Sequence, residues 1–309
     1  MASEAPDAES IRIARSIPWS SFGRNTVASR VGKSLLPIGI FNFDLPKYES
    51  DKPIPTVTSR SAGFENYLIN IVGTAIQAGD AKLVTCAHVI EGVLQTKRKG
   101  YVLASSWRTN ALVHQPYPFS HALRYIDPRT NEVNAAVDLA VVPLPARNEP
   151  HLPYDVPIVQ WGDSTKLGVG DPVLLAGFPY GTQLFRMAQT NRGVVQPSFF
   201  DGVISAIIPA TKPSETRLLQ ISAAVAGGIS GGAVIDIRTG GVVGMVTSGL
   251  TGPQGYLHPV TYAIPSEIIY PYTRRITFQT TGGVRGIDDW RRRLVHLKRY
   301  VREKLWRDR

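Results

Sequence analysis

Short apolar runs, each ended by turn residues, recur along almost the whole of this chain. Val, Ile, Thr and Tyr are frequent in the runs, and 28 Gly and 23 Pro residues are spread along the chain. This spacing is typical of short β-strands joined by turns. We therefore predict an all-β fold of two antiparallel six-stranded β-barrels. The main candidate strands are Ser34–Phe43, Tyr67–Gln77, Lys82–Val89, Tyr101–Ser106, Val137–Leu144, Asp171–Gly177, Gly193–Gln196, Gly202–Ile208, Arg217–Ser222, Ala233–Ile237, Val242–Ser248 and Val260–Ile264.

The same pattern divides the chain into four predicted segments. Residues 1–35 lack a sustained period and are expected to form an N-terminal arm. Residues 36–150 and 151–280 are expected to form the first and second barrels, with several prolines marking the link between them. Residues 281–309 are predicted to form a basic amphipathic helix.

The segment Gln220–Asp236, QISAAVAGGISGGAVID, places Ser230 between two pairs of glycines. Glycine permits a positive φ and a close approach of the backbone to a ligand. A serine nucleophile needs such a backbone, because main-chain N–H groups must point at the charge that its attack creates. A simple glycine turn between two strands explains the same residues. The choice therefore depends on residues elsewhere in the chain.

Two other residues carry the groups that would activate a serine. His88 follows small residues in the run Thr85–His88, and Asp138 lies in the apolar run Val137–Ala140. A serine hydroxyl becomes a nucleophile when an imidazole accepts its proton, and a carboxylate holds that imidazole in the right tautomer. Singly, His88 could be a structural histidine at a strand end, and Asp138 could form an ion pair or cap a turn. Together with a glycine-flanked serine they indicate nucleophilic catalysis.

With these residues the sequence resembles the chymotrypsin-like (trypsin-like) serine proteases, and most closely the catalytic domain of the HtrA/Deg family. Leu167–Gly181 is similar to the family's GD-x-V-x-A-x-G-x-P-x-G segment. Gln220–Gly232 aligns without gaps with QTDAAINPGNSGG, and Tyr262–Ser266 with FAIPS. The resemblance implies a chymotrypsin-like fold, hydrolysis of peptide bonds in a protein or peptide substrate through an acyl-enzyme, and no metal or cofactor.

Residue by residue, the resemblance implies His88 as general base, Asp138 as the group that orients it, and Ser230 as nucleophile. The N–H groups of Gly228 and Ser230 would form the oxyanion hole. The order His, Asp, Ser along the chain agrees with this family and differs from that of the α/β-hydrolases.

The sequence departs from the family pattern around the nucleophile. Ile229 replaces an Asn, Gly227 replaces a Pro and Ser222 replaces an Asp. We expect a more flexible turn, which leaves open a second interpretation as a catalytically weak, protease-like binding or sensor module. The residues after Ser266 are too few for a PDZ domain, so none is expected.

The resemblance also implies a primary specificity pocket, lined by residues shortly before the nucleophile and by a later strand. Its expected members are Ala224, Val225, Met245, Val246, Thr247 and Ser248. Since none of them is acidic, we expect cleavage after small or medium apolar residues and not after Lys or Arg.

The single cysteine, Cys86, rules out an intrachain disulfide, so the fold does not require an oxidising compartment. The first residues are acidic and lack the apolar core of a signal peptide. No apolar run approaches the roughly 18 residues of a membrane-spanning helix. From these features we predict a soluble, cytoplasmic protein.

The net charge of +10 is concentrated near the C-terminus, where residues 285–309 contain ten Lys or Arg and four Asp or Glu. Trp290, Leu294, Leu297, Val301 and Leu305 recur there at helical spacing. Three interpretations remain open: a helix docked on the barrels, a helix that binds a membrane surface or partner helix, and a nucleic-acid contact. An anionic partner that binds residues 285–309, either a membrane surface or a nucleic acid, is therefore one open prediction. Assembly of the chain into an oligomer is another.

Overall fold

A computed structural model describes residues 27–41, 69–79, 82–96, 98, 100–108, 111–119, 122–143, 156–179, 197–212, 215–251 and 257–276. Up to Arg275 these residues belong to one compact unit, Met1–Arg275. Residues 1–26 of the predicted arm, the predicted strand Gly193–Gln196 and the basic segment 281–309 lie outside the described residues.

Seven antiparallel strands of the first half form one sheet. They are β1 (Leu35–Phe41), β2 (Ile69–Gly79), β3 (Lys82–Thr85), β4 (Gly100–Arg108), β5 (Ala111–Phe119), β6 (Leu123–Arg124) and β7 (Ala140–Pro143). Their order in the sheet is β5-β4-β1-β2-β3-β7-β6. Apolar side chains such as Ile38, Ile76 and Leu83 are fully buried on it.

Six antiparallel strands of the second half close into a barrel. They are β8 (Pro172–Gly177), β9 (Ser198–Ile208), β10 (Leu218–Ile221), β11 (Ala233–Asp236), β12 (Val242–Thr251) and β13 (Leu257–Pro265). The order is β10-β13-β12-β11-β8-β9, and β9 pairs with β10 to complete the circle. Aliphatic residues from the different strands, among them Leu175, Leu219 and Val246, fill its interior.

The predicted all-β class with two antiparallel units is confirmed. In detail, the first unit is described as a seven-stranded sheet, where a six-stranded barrel was expected. The additional long strand is β5, which is not among the predicted strands because Pro116 and Pro118 interrupt it. Proline cannot donate to a strand partner, and it is tolerated here because β5 is the last strand in the sheet order.

The described residues also contain three α-helices: α1 (Val27–Gly32), α2 (Ala87–Gln95) and α3 (Ser266–Arg275). The strand predicted up to Val89, with His88 at its end, is wrong in its second half. β3 ends at Thr85, and His88 lies in the first turn of α2. Ala87, Ile90 and Val93 recur every three residues and are buried, so this apolar run has helical periodicity.

None of the helices in the described ranges combines the length and the apolar character needed to cross a membrane.

Helix α3 follows the barrel and ties it to the first sheet. The hydroxyl of Tyr272 donates a hydrogen bond to the carbonyl oxygen of Arg124 at 2.6 Å, and Lys82 Nζ donates to the carbonyl oxygen of Thr273 at 3.0 Å. These bonds fix the barrel and the first sheet relative to one another at β3 and β6.

Candidate active site

His88 and Asp138 are joined by two hydrogen bonds. His88 Nδ1 lies 2.7 Å from Asp138 Oδ2, and the backbone N–H of His88 donates to Asp138 Oδ1 at 2.9 Å. The pairing of β3 with β7 brings together the helix that follows one strand and the carboxylate that precedes the other. The carboxylate occupies Nδ1, which leaves Nε2 of a half-exposed ring for a second partner.

Thr247 makes a third hydrogen bond to the same carboxylate and also contacts the serine. Its hydroxyl donates to Asp138 Oδ2 at 2.6 Å, and its carbonyl oxygen accepts from Ser230 Oγ at 3.2 Å. Sequence reasoning placed Thr247 in the substrate pocket and missed this contact. The contact joins residues 109 positions apart and depends on the path of β12, so no local sequence signal indicates it.

These contacts shift the pKa values of both titratable groups. Burial is the largest influence on Asp138 and opposes its ionisation, but the hydrogen bonds from His88 and Thr247 together outweigh it and lower its pKa. For His88 the hydrogen bond to Asp138 is the largest influence and raises the pKa above its ordinary value of 6.5, against a smaller opposing effect of burial. The nearby charges of Asp138 and Glu91 raise it further.

We expect any reaction that uses His88 as a base to accelerate as the pH rises through a value above about 6.5. Protonated His88 cannot accept a proton, and its raised pKa keeps it protonated to a higher pH than a free imidazole. The check is log(kcat/KM) against pH, which should rise with unit slope and then level off. Glu91→Gln should lower the midpoint, whereas Glu132→Gln, at an exposed acid, should not. A rate that does not change between about pH 5 and 8 would exclude His88 as the base.

Ser230 lies in a tight turn between β10 and β11, and the backbone of this turn favours glycine at positions 228 and 231. Gly228 and Gly231 have φ values of 96° and 86°. A Cβ on Gly231 would overlap the carbonyl oxygen of Thr74 and lie 2.5 Å from Thr85 Oγ1. The N–H of Thr74 donates to the carbonyl oxygen of Ser230 at 2.9 Å, so the turn is held directly against β2.

The hydroxyl of Ser230 points to Thr247 in this structure. Within the described ranges, Ser230 Oγ forms its hydrogen bond with the Thr247 carbonyl oxygen and none with His88. Rotation about the Cα–Cβ bond moves this oxygen without moving the backbone, and such rotamer changes are fast at partly exposed residues. His88, Asp138 and Ser230 thus lie in one region. His88 and Asp138 are in direct contact, and Thr247 links Asp138 to Ser230.

The N–H groups of Gly228 and Ser230 have no hydrogen-bond partner among the residues that the structure describes. The carbonyl oxygen of Ile229 accepts from Gly232 N–H at 2.7 Å. Because C=O and N–H of a trans peptide point in opposite directions, this bond directs the N–H of Ser230 away from the turn interior. Free amide donors on a glycine turn are suited to binding an anion.

The six predicted pocket residues are not equivalent. Ala224 and Ser248 are exposed, Val225 and Thr247 are almost buried, and Met245 and Val246 are fully buried. Val225 and Val246 both belong to the barrel core. Ala224 and Ser248 are therefore accessible from solvent, whereas Met245 and Val246 are positioned as core residues.

Cys86, His88 and Asp138 have potential metal-ligand atoms within 4.8 Å of one another. The Cys86 thiol is buried and donates to the Val246 carbonyl oxygen at 3.2 Å. Burial, and secondly the Asp138 charge, raise the pKa of this thiol well above its ordinary value. A metal would need the thiolate, and His88 Nδ1 is already used by Asp138. The chemistry of these groups fits a hydrogen-bonded imidazole–carboxylate pair better than a metal centre.

An antiparallel sheet that supplies His88 and Asp138, followed by an antiparallel barrel that supplies Ser230, defines the chymotrypsin-like class of folds. The sequence model of the family described as Trypsin-like peptidase domain matches residues 73–245, more than half of the chain. The chain therefore belongs to the trypsin-like peptidase domain family.

Solved structures show the same fold. The HtrA-type protease AlgW with a decapeptide superposes with a TM-score of 0.50 at 20% identity, covering 81% of this chain and 65% of that chain. The structure of AlgW with a tripeptide has the same TM-score at 18% identity, covering 84% of this chain and 63% of that chain. The predicted resemblance to HtrA-type proteases is thus confirmed.

Curated relatives carry the name "Probable periplasmic serine endoprotease DegP-like". The protein of Chlamydia pneumoniae is 26% identical over 81% of this chain, and that of Chlamydia muridarum is 26% identical over 72%. The chain spans less than half the length of these relatives, 42% and 35% respectively.

These names contradict the predicted cytoplasmic location, because the relatives are described as periplasmic. The prediction rested partly on the single Cys86. A fold that needs no disulfide is stable in reducing and in oxidising compartments alike, so cysteine count could not decide between them.

Proposed function

We propose that this protein is a serine endopeptidase that hydrolyses peptide bonds through an acyl-enzyme. The observation that carries the proposal is the 2.7 Å contact between His88 Nδ1 and Asp138 Oδ2, with Thr247 joining that carboxylate to Ser230. The family supports the reaction class. The AlgW structures with a tripeptide and with a decapeptide support a peptide or protein substrate.

In the proposed reaction, Ser230 Oγ rotates from the Thr247 carbonyl towards His88 Nε2, which accepts its proton as the oxygen attacks the scissile carbonyl carbon. Asp138 keeps the other ring proton on Nδ1 and stabilises the imidazolium. The negative oxygen of the tetrahedral intermediate accepts hydrogen bonds from the N–H groups of Gly228 and Ser230.

His88 then gives its proton from Nε2 to the leaving amine, and the C–N bond breaks to leave an ester on Ser230. A water molecule repeats the sequence. His88 takes a proton from it, the hydroxide adds to the ester carbon, and the carboxylate product departs as Ser230 regains its proton. The two half-reactions use the same base and the same amide donors, so no further group is required.

The proposed pocket favours small residues before the cleaved bond. A Cβ at Gly249 would lie 3.5 Å from Val225 Cγ2 and 3.6 Å from the Val260 carbonyl oxygen, so the Val225 side chain reaches the strand that faces it. No acidic side chain belongs to the predicted set. Both features favour small or medium apolar residues over Lys and Arg.

We expect a peptide library to be cut mainly after small or medium apolar residues such as Ala and Val. Sites would be read by mass spectrometry, and Val225→Ala should extend cleavage towards larger apolar residues. Ile237→Ala, an exposed apolar position, should leave the pattern unchanged. Cleavage mainly after Lys or Arg would contradict the proposed pocket. Peptides that bind but are never cut would instead support the binding or sensor module, in which Ser230 would keep its hydrogen bond to the Thr247 carbonyl oxygen.

A further inference from the structure

Thr74, near the middle of β2, donates two hydrogen bonds to the turn that carries Ser230, in addition to its place in the strand. Its side chain is fully buried. Its hydroxyl donates to the carbonyl oxygen of Gly228 at 2.9 Å, across 154 positions of sequence. Its N–H donates to the carbonyl oxygen of Ser230 at 2.9 Å. One residue of the first sheet therefore holds both ends of the three-residue turn that carries the serine.

The direction of the Thr74 hydroxyl is fixed by its other partners. The N–H of Phe178, just after β8, donates to Thr74 Oγ1 at 3.0 Å. Because that bond occupies the acceptor side of the oxygen, the hydroxyl proton is left to point at the Gly228 carbonyl. Thr85 Oγ1 donates to the Thr74 carbonyl oxygen at 2.7 Å and fixes the backbone behind it.

The turn itself has few restraints that could replace this contact. A Cβ at Gly227 would meet nothing within 4 Å, and Gly228 has a φ of 96°. The Ile229 N–H makes only a long bond of 3.4 Å to the Ala226 carbonyl oxygen. Without the Thr74 hydroxyl, the peptide between Gly228 and Ile229 is free to rotate its carbonyl towards the side where the amide donors lie.

We propose that Thr74 is a positioning residue of the oxyanion hole. Its hydroxyl fixes the Gly228–Ile229 peptide, which keeps the Gly228 carbonyl turned away from the reacting carbonyl and limits the rotation of Gly228 that would turn the N–H on its other side out of reach. This proposal rests on the proposed peptidase function. A carbonyl oxygen that faced the developing negative charge would repel it, whereas a fixed amide donor attracts it. The role concerns the tetrahedral state and not the ground state of the substrate, so it predicts an effect on kcat and little on KM.

The test compares Thr74→Val with Thr74→Ser. Valine keeps the shape but removes the hydroxyl, and with it the acceptor of the Phe178 N–H, while it leaves the Thr74 N–H bond to Ser230 in place. We expect Thr74→Val to lower kcat by about 10- to 100-fold, less than the loss of a whole oxyanion donor, with KM changed by less than about twofold. Thr74→Ser should restore most of kcat. Thr273→Val, at another buried threonine that donates to a carbonyl oxygen, is the matched control and should keep wild-type kcat.

A second readout separates positioning from general damage to the fold. A peptide aldehyde forms a tetrahedral adduct on the serine, and the matching peptide alcohol does not. Thr74→Val should weaken inhibition by the aldehyde by about the same factor as kcat and leave inhibition by the alcohol unchanged. Thermal unfolding checks that each variant is folded.

Equal weakening of both inhibitors, or wild-type kcat in Thr74→Val, would overturn the role of Thr74. If the valine variant does not fold, the serine variant decides: a folded Thr74→Ser that loses kcat by more than about 10-fold overturns the proposal, because its hydroxyl is retained. Wild-type protein that cleaves no peptide contradicts the peptidase function itself, which is a different result from cleavage that is insensitive to Thr74.

Discussion

Ser230→Ala is expected to lower kcat by about a millionfold, the size found when the nucleophile of an unrelated serine peptidase is removed. Without Oγ no acyl-enzyme can form, and the amide donors and His88 are left to assist only a direct attack by water. The Ser230 side chain donates one hydrogen bond, to Thr247, so the fold should lose little. Initial rates on a cleaved peptide, together with thermal unfolding, measure the two effects separately.

The same variant should also fail to react with a fluorophosphonate probe, which labels only an activated serine. Ser205→Ala, at an exposed serine of β9, is the control and should be labelled like the wild type. Labelling that persists in Ser230→Ala would identify a different nucleophile. Wild-type protein that takes up no probe would favour the binding or sensor module.

Asp138→Asn is expected to lower kcat by about 10⁴-fold, with a small effect on KM. The carboxylate accepts from the His88 N–H, from His88 Nδ1–H and from the Thr247 hydroxyl. An amide in its place must present its NH₂ group to one of these donors. If it donates to Nδ1, the ring proton moves to Nε2, which then cannot accept the proton of Ser230.

The pH profile gives this prediction a second signature. The hydrogen bond and charge of Asp138 raise the His88 pKa, so their removal should move the midpoint of kcat/KM to lower pH while the plateau falls. Asp201→Asn, at an exposed aspartate of β9, should change neither. An Asp138→Asn enzyme with wild-type kcat would show that the carboxylate does not orient the base.

The candidate site residues that could be predicted are those whose immediate sequence neighbours point to their role. Ser230 is flanked by glycines whose positive φ values the turn needs, and Asp138 interrupts an apolar run next to β7. His88 was identified as a candidate even though it was placed in a strand and not in a helix. The element was misassigned because a short apolar run of helical period resembles a strand. For the same local reason β8, β10 and β11 were predicted to within one residue at each end, whereas β9, β12 and β13 are longer than predicted by three or four residues at one end.

What the sequence could not indicate depends on contacts between distant segments. Thr74 and Thr247 look like ordinary strand residues, and their roles come from hydrogen bonds to groups 154 and 109 positions away. Helix α3 was missed since Pro271 argues against a helix. It is stabilised by the Ser164 hydroxyl, which accepts from the Glu267 N–H in its first turn, and by the docking of Tyr272. Such features arise only once the sheets have met.

The order of the contributing strands has a consequence during synthesis. The third hydrogen bond to the Asp138 carboxylate comes from β12, which follows the serine turn in the chain. A nascent chain in which His88, Asp138 and Ser230 have been synthesised still lacks Thr247. The set of hydrogen bonds around the Asp138 carboxylate is therefore complete only after β12 has been translated and has joined the barrel.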